Sequence, residues 1–135
     1  MLTGLLAISG QSGLYKMLSQ GKNILIVENL ADGKRLSVTN TQRVSALRDI
    51  SMYTLDGDIK LSTVMSNIFK YTKGEPAIDP KKASADELKS YMDNVLPNWD
   101  KEHIYTSDIK RLFSWYNILQ SRNIVREETA EEASK

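Results

Sequence analysis

The chain has 135 residues, of which 41% are hydrophobic and 26% charged, and its net charge is +1. This composition is typical of a globular domain rather than a disordered chain, and no apolar run reaches the roughly 18–20 residues that span a bilayer. With no cysteine and one histidine, His103, the sequence excludes disulfides, thiolate metal sites, cysteine nucleophiles and histidine-rich metal centres.

Charge is divided unevenly along the chain. Residues 1–74 carry nine Lys and Arg against five Asp and Glu, whereas residues 75–135 carry nine against twelve. The basic first part could face an anionic partner or the acidic second part, and an ordinary solvated surface is the other interpretation. The apolar start, Met1 to Ile8, lacks the basic residues of a signal peptide. Together with the absence of cysteine, this leads us to expect a cytoplasmic protein that does not bind a membrane.

Short alternating or apolar runs separated by turn residues predict five strands in the first sixty residues. These runs are Leu5 to Ile8, Leu14 to Gln20, Ile24 to Val27, Leu36 to Val38, and Ile50 to Leu55. The pair Asp32-Gly33 predicts a two-residue hairpin with Gly33 at positive φ, and Asp56-Gly57 ends the fifth strand. Val44 and Leu47 are three residues apart, which predicts a helical turn before that strand. This pattern favours an SH3-like five-stranded barrel over an OB-fold.

The hydrophobic period then changes to that of helices. Leu61 to Phe69 carries one apolar stripe, and Gly74 is a suitable C-terminal stop. Ser84 and Glu87 have the spacing of a capping box that begins a second helix, which Pro97 ends. A third helix is predicted from about Ser107 to Arg122, with a wide apolar face. The predicted class is α+β: a barrel with a packed helix in residues 1–74, a linker in 75–83, a helical hairpin in 84–122 and an acidic tail in 123–135.

Segments in both halves carry a resemblance to a known family. In the first half they are Leu2 to Gly10, Gly13 to Lys16, Ile26 to Glu28, Asp32 to Arg35, and Val44 to Leu47 before Ile50. In the second half they are Val95 to Pro97, Tyr105 to Lys110, and Trp115 to Asn117. The first set resembles a domain of unknown function found mainly in Bacteroidota, and the second resembles the helical domain that commonly follows it. Proline is common in that family at the position where this chain has Ser12. This departure from the family pattern affects only the expected local turn. The resemblance implies a cytoplasmic bacterial protein and transfers no activity or binding residue.

Candidate catalytic and metal-binding groups are sparse. Gly10 to Gly13 lacks the spacing of a nucleophile elbow or a P-loop, so we interpret it as a turn. Asp56 and Asp58 lack a third ligand for a cation and are better explained by a hairpin. His103 beside Glu102 is better explained as a surface loop residue. We therefore expect no enzyme, no cofactor and no metal.

Two surfaces remain as candidate binding sites. Basic and aromatic residues of the predicted barrel could collect on one rim and contact RNA or DNA: Tyr15, Lys16, Lys34, Arg35, Arg43 and Arg48. Apolar residues of the helical part could form an exposed patch for a protein: Trp115, Ile118, Trp99 and Tyr91. In a monomer the alternative is that Trp115 and Ile118 are wedged between the barrel and the second helix. A helix-turn-helix is disfavoured because the connection from Leu96 to Thr106 is too long.

These observations predict a non-enzymatic binding or adaptor module. A protein partner is the first expectation, and nucleic acid is the alternative. The sequence also leaves a homo-oligomer open.

Overall fold

The computed structural model describes residues 2, 4–8, 13–39 and 43–125. Within these ranges the chain forms seven strands, one 3-10 turn at Leu47–Asp49, and three helices. The strands are β1 Leu5–Ile8, β2 Tyr15–Gly21, β3 Ile24–Asn29, β4 Arg35–Thr39, β5 Val44–Ala46, β6 Ser51–Thr54 and β7 Gly57–Lys60. The helices are α1 Leu61–Thr72, α2 Ala85–Val95 and α3 Thr106–Ser121.

The first five strands form one antiparallel sheet in the order β4-β3-β2-β1-β5. Consecutive strands β1 to β4 pair with their neighbours, and β5 returns to the free side of β1, where Ala7 lies opposite Ser45. The register between β2 and β3 shifts between Met17 and Ser19, which marks a bulge in β2.

The prediction of a closed SH3-like barrel is wrong. The five-stranded sheet stays open, with β4 and β5 as its two edges among the described residues, and β6 pairs with β7 in a separate two-stranded sheet. The predicted fifth strand, Ile50 to Leu55, therefore belongs to that second sheet. Its apolar residue Met52 and the opposite Ile59 pack on the core between the helices. Burial of these side chains in a larger core favours this position over closure of the barrel.

The sheet has apolar side chains on both faces because neighbouring residues of a strand point in opposite directions. Leu5 of β1 packs into the main core, which contains the buried residues of the three helices. Leu6 faces the other way and belongs to a smaller sheet core with Tyr15, Val27 and Val38. The alternation in β1 thus places this strand between two cores and anchors the sheet to the helices.

The hairpin between β3 and β4 differs from the predicted two-residue turn. Gly33 has a φ of 75°, as predicted. However, Gly33 N donates to the carbonyl of Asn29, and Asn29 N donates to the carbonyl of Lys34. The loop therefore spans four residues, and the Asn29 side chain accepts the amides of Ala31 and Asp32 inside it. The two-residue loop is found instead between β6 and β7, where Thr54 pairs with Gly57.

The helix boundaries follow the capping residues. The Ser84 hydroxyl accepts the Glu87 amide at 3.2 Å and the Glu87 carboxylate accepts the Ser84 amide at 3.1 Å, which confirms the capping box. Helix α1 ends where Lys73 and Gly74 both adopt positive φ, and Gly74 N donates to the carbonyl of Phe69 at 3.0 Å.

Segment 75–83 connects α1 to α2 and is hydrogen-bonded to side chains of α3. The Asn117 side chain accepts the Ala77 amide at 2.7 Å and donates to the carbonyl of Ile78 at 3.3 Å. The Tyr116 hydroxyl donates to the carbonyl of Glu75 at 3.1 Å, and burial raises the pKa of this phenol.

Of the predicted acidic tail, Val125 is buried in the main core, and residues 126–135 lie outside the described part of the chain. No helix in the described ranges is long and apolar enough to cross a membrane.

Candidate functional site

A cleft of about 700 Å³ opens between one end of the five-stranded sheet and α3, and we call it the sheet–helix cleft. Its walls come from β1, β5, β6, α3 and the loop before α3. Its polar lining residues are Arg43, Ser45, Ser51, His103, Asp108, Arg111 and Ser114. Its apolar lining includes Ala7, Ile8, Ile50, Met52, Tyr53, Leu112 and Trp115. The cleft is therefore amphipathic, with charged groups beside an apolar surface.

The sheet wall follows from the strand register. Ala7 of β1 lies opposite Ser45 of β5, so the two side chains share one face. Arg43 lies two positions before Ser45, and the period of two places its side chain toward that same face. Ser45 and Arg43 are both exposed. This short edge strand and the residue before it thus present a hydroxyl and a guanidinium to the cleft.

The helix wall follows from the helical period. Asp108, Arg111, Leu112 and Trp115 are spaced by three and four residues, which places them on one face of α3. The start of this helix is fixed because the Asp108 carboxylate accepts the Tyr105 amide at 2.9 Å. Trp115 is half-buried and packs against the main core. The face of α3 that carries the cation therefore also carries an aromatic ring.

The loop before α3 brings a histidine to the edge of the cleft. The His103 ring nitrogen Nδ1 lies 2.6 Å from the Asp100 carboxylate oxygen Oδ2. The histidine side chain is 66% exposed and that of Asp100 is 18% exposed. The Tyr53 ring lies edge-on to the imidazole with centroids 6.2 Å apart. The hydrogen bond from His103 holds the pKa of Asp100 below its usual value, so this carboxylate stays ionised in the fold.

The cleft holds two guanidinium groups and one carboxylate. Arg111 lies 3.7 Å from Asp108, and both side chains are substantially exposed. Arg43 forms no ion pair with any residue that the structure describes. Exposed pairs of this kind contribute little free energy, so both cations remain able to bind an anion.

The basic residues proposed for nucleic acid are not gathered on one free surface. Lys16 and Arg35 share a face, but Glu28 lies directly between them in the register. Tyr15 is 5% exposed in the sheet core and cannot stack on a base. Lys34 is exposed in the β3–β4 loop, Arg48 lies 3.9 Å from Asp49, and Arg43 lines the cleft.

The four residues proposed for a protein contact are also separated. Trp99 is 2% exposed, and its indole donates to the Asp93 carboxylate at 2.7 Å. Tyr91 packs edge-on against Phe113, with ring centroids 5.0 Å apart, on the face of α3 away from Trp115. Ile118 is half-buried against the main core. Trp115 and Ile118 are thus wedged against the rest of the fold, and only Trp115 lines the cleft.

The remaining candidate groups do not form a second site in the described part of the chain. The Asp56 carboxylate accepts the Asn98 side-chain amide at 2.7 Å beside the β6–β7 hairpin. The turn at Gly10 to Gly13 includes residues 10–12, which lie outside the described residues. Within the part of the chain that is described, no three His, Asp or Glu side chains converge into a group that could hold a metal ion.

Sequence reasoning did not select Arg111 or Asp100 as site residues and missed the pairing of Asp100 with His103. The spacing of Asp100 and His103, three residues apart in a polar loop, was the available pattern. No comparable pattern existed for Arg111, because Arg43 and Ser45 on the opposite wall of the cleft lie more than sixty positions away in the sequence.

Comparisons with known proteins match both halves of the chain. Residues 2–47 match DUF5606 and residues 50–119 match DUF6852, and each is described as a domain of unknown function. No curated protein matches the chain. A solution NMR structure of a Bacteroides vulgatus protein, from the Northeast Structural Genomics Consortium, is 48% identical, covers 92% of this chain and 89% of its own, and has a TM-score of 0.76.

Proposed function

The chain belongs to the uncharacterised Bacteroidota family in which DUF5606 is followed by DUF6852, and we propose that it is a non-enzymatic binding module. Its binding site is the sheet–helix cleft, and its ligand is a segment of a partner protein. The proposal includes a cytoplasmic location, which the sequence led us to expect. It assigns the protein no cofactor.

The position of the cleft carries this proposal. Arg43 and Ser45 belong to the segment that matches the first domain, whereas Arg111 and Trp115 belong to the segment that matches the second. Binding sites occur preferentially where two such units meet, because neither unit alone can surround a ligand. The mixture of an aromatic ring, aliphatic side chains and arginines is also the composition enriched at protein interfaces.

A catalytic role has weaker support. His103 is oriented by Asp100 and could act as a base, but a base needs a nucleophile or substrate proton within hydrogen-bond distance. Among the described residues, no hydroxyl group is hydrogen-bonded to the His103 ring. Binding therefore accounts for the cleft with fewer assumptions than catalysis does.

A capture experiment tests the proposal. Immobilised wild-type protein is compared with Trp115→Ala, and with Tyr71→Ala as the matched loss of an aromatic side chain away from the cleft. Each is incubated with native lysate of the source bacterium, with and without nuclease. We expect a partner protein that is retained by wild type and Tyr71→Ala, lost by Trp115→Ala, and insensitive to nuclease.

Two results would contradict the proposal. Equal capture by Trp115→Ala would move the binding site away from the cleft. Capture that disappears with nuclease would favour nucleic acid, which is the alternative suggested by the basic first part of the chain. Thermal unfolding of each variant shows whether a loss of capture reflects a loss of folding.

A further inference from the structure

We propose that the sheet–helix cleft is specific for an acidic segment of the partner that also carries an apolar side chain. In this arrangement Asp or Glu carboxylates bind Arg43 and Arg111, and the apolar side chain packs on Trp115. The inference rests on the proposed function and adds the chemistry of the partner to it.

Two cations lie on different walls of the cleft. Arg43 comes from the residue before β5, and Arg111 comes from the middle of α3, and both line the same cleft. A guanidinium presents a planar set of donors that matches the two oxygens of a carboxylate. Two such groups in one cleft therefore suit a ligand with more than one carboxylate.

Neither cation is held in a close, hydrogen-bonded ion pair within the described structure. The Asp108 carboxylate lies 3.7 Å from Arg111, beyond hydrogen-bond distance, and its oxygen Oδ2 already accepts the Tyr105 amide at 2.9 Å. The side chains of Arg111 and Asp108 are 58% and 36% exposed, so solvent screens their attraction. A ligand carboxylate can hydrogen-bond Arg111 without displacing a well-formed internal contact.

An apolar surface lies beside the arginines. Ile50, Met52 and Trp115 are each half-buried and line the cleft. An inorganic anion would leave this surface in contact with water, whereas an aliphatic or aromatic side chain would cover it. The combination indicates a peptide in which acidic and apolar residues are close in sequence.

The charged residues of the cleft favour a protein partner over a nucleic acid. A polyanion gains affinity from many cations along its path, but Arg43 and Arg111 are the only Lys or Arg residues among those that line the cleft in the described structure. A short acidic segment requires only two cations and is compatible with these surroundings.

The test selects peptides that bind the protein and then reverses the charge of each cleft arginine by mutation. A phage-displayed library of random twelve-residue peptides is selected on the intact chain, and enriched peptides are labelled for fluorescence anisotropy with wild type, Arg43→Glu and Arg111→Glu. Arg48→Glu is the control, because it makes the same charge change at an exposed arginine outside the cleft. We expect peptides that combine Asp or Glu with an apolar residue, a loss of about tenfold or more for each cleft variant, and little change for Arg48→Glu.

Several outcomes would overturn the inference. Enriched peptides without acidic residues, no enrichment, or affinities that are unchanged by Arg43→Glu and Arg111→Glu would each do so. If the capture experiment still succeeds in such a case, the cleft binds a protein of different chemistry and the proposed function survives. Displacement of the peptide by a single-stranded oligonucleotide would identify nucleic acid as the occupant. Self-association in sedimentation velocity that Arg111→Glu abolishes would identify a second copy of the chain.

Discussion

Arg111 and Asp108 lie three residues apart on α3, with 3.7 Å between the guanidinium nitrogen Nη1 and the carboxylate oxygen Oδ1. The carboxylate has another partner, because its oxygen Oδ2 accepts the Tyr105 amide and begins the helix. One aspartate therefore stabilises the helix terminus and leaves the neighbouring cation available to the sheet–helix cleft. The same short sequence serves the fold and the proposed site.

The capping box of α2 gives the first prediction. Ser84→Ala should lower the free energy of unfolding by about 0.5–2 kcal/mol, because the Glu87 amide loses its acceptor. Urea denaturation of the two proteins measures the difference. Ser90→Ala, an exposed change in the same helix, should stay within about 0.5 kcal/mol of wild type. Equal midpoints for Ser84→Ala and wild type would show that the cap does not stabilise the helix.

The β3–β4 loop gives a prediction about backbone conformation. Gly33 has a φ of 75°, and a Cβ added to this residue would lie 3.7 Å from its nearest neighbour, Glu28 Oε1. Space is therefore available, and conformational strain alone should decide the effect of a substitution. Gly33→Val should destabilise by more than about 1 kcal/mol, whereas Gly33→Asn should cost less because asparagine tolerates positive φ. A lower melting temperature for Gly33→Asn than for Gly33→Val in thermal denaturation would contradict this explanation.

The contact between α3 and segment 75–83 gives a third prediction. Asn117→Ala removes the acceptor of the Ala77 amide and the donor to the Ile78 carbonyl. The free energy of unfolding should fall by about 1–3 kcal/mol, since these backbone groups are partly buried. Hydrogen exchange at Ala77 should also become faster. Ser121→Ala, which removes only a local contact at the exposed end of α3, should change neither quantity, and unchanged exchange in Asn117→Ala would contradict the role assigned to Asn117.

The pair formed by Asp100 and His103 predicts a dependence on pH. The histidine hydrogen bond lowers the pKa of Asp100 from its ordinary 3.8, so the fold favours the ionised carboxylate. This contribution to stability is present above that ordinary pKa and is lost as the pH falls through the lowered pKa. In His103→Ala the pKa of Asp100 should rise, as followed by the NMR shift of its carboxyl carbon. Lys101→Ala should leave it unchanged, because the Lys101 ammonium pairs with Asp93 instead.

Local patterns in the sequence were sufficient to predict the positions of the helices. The spacing of Ser84 and Glu87, the stripe beginning at Leu61 and the stop at Gly74 each depend on residues within a few positions of one another, and the structure has all three. The closed barrel failed for a different reason. Strand β5 has only three residues, too few for a recognisable alternation, and its pairing with β1 joins segments about forty residues apart.

The candidate site was less predictable than the fold. The charge of Arg43 and the apolar helix around Trp115 made both residues candidates, but nothing local indicated that they would line one cleft. The same limitation explains Tyr15, whose aromatic ring suggested base stacking although the ring is buried in the sheet core with Val27 and Val38 from other strands. A binding surface built from both halves depends on tertiary contacts that a single sequence does not reveal.

The sheet–helix cleft is the proposed binding surface, and an NMR titration tests this central claim most directly. Isotope-labelled protein is titrated with the acidic peptide of highest affinity, and the backbone amides and the tryptophan indole groups are followed. We predict chemical-shift changes concentrated at Ser45, Ser114 and the Trp115 indole. Changes concentrated at Lys16 in β2 and Arg35 in β4, which do not line the cleft, with the Trp115 indole unaffected, would contradict the claim.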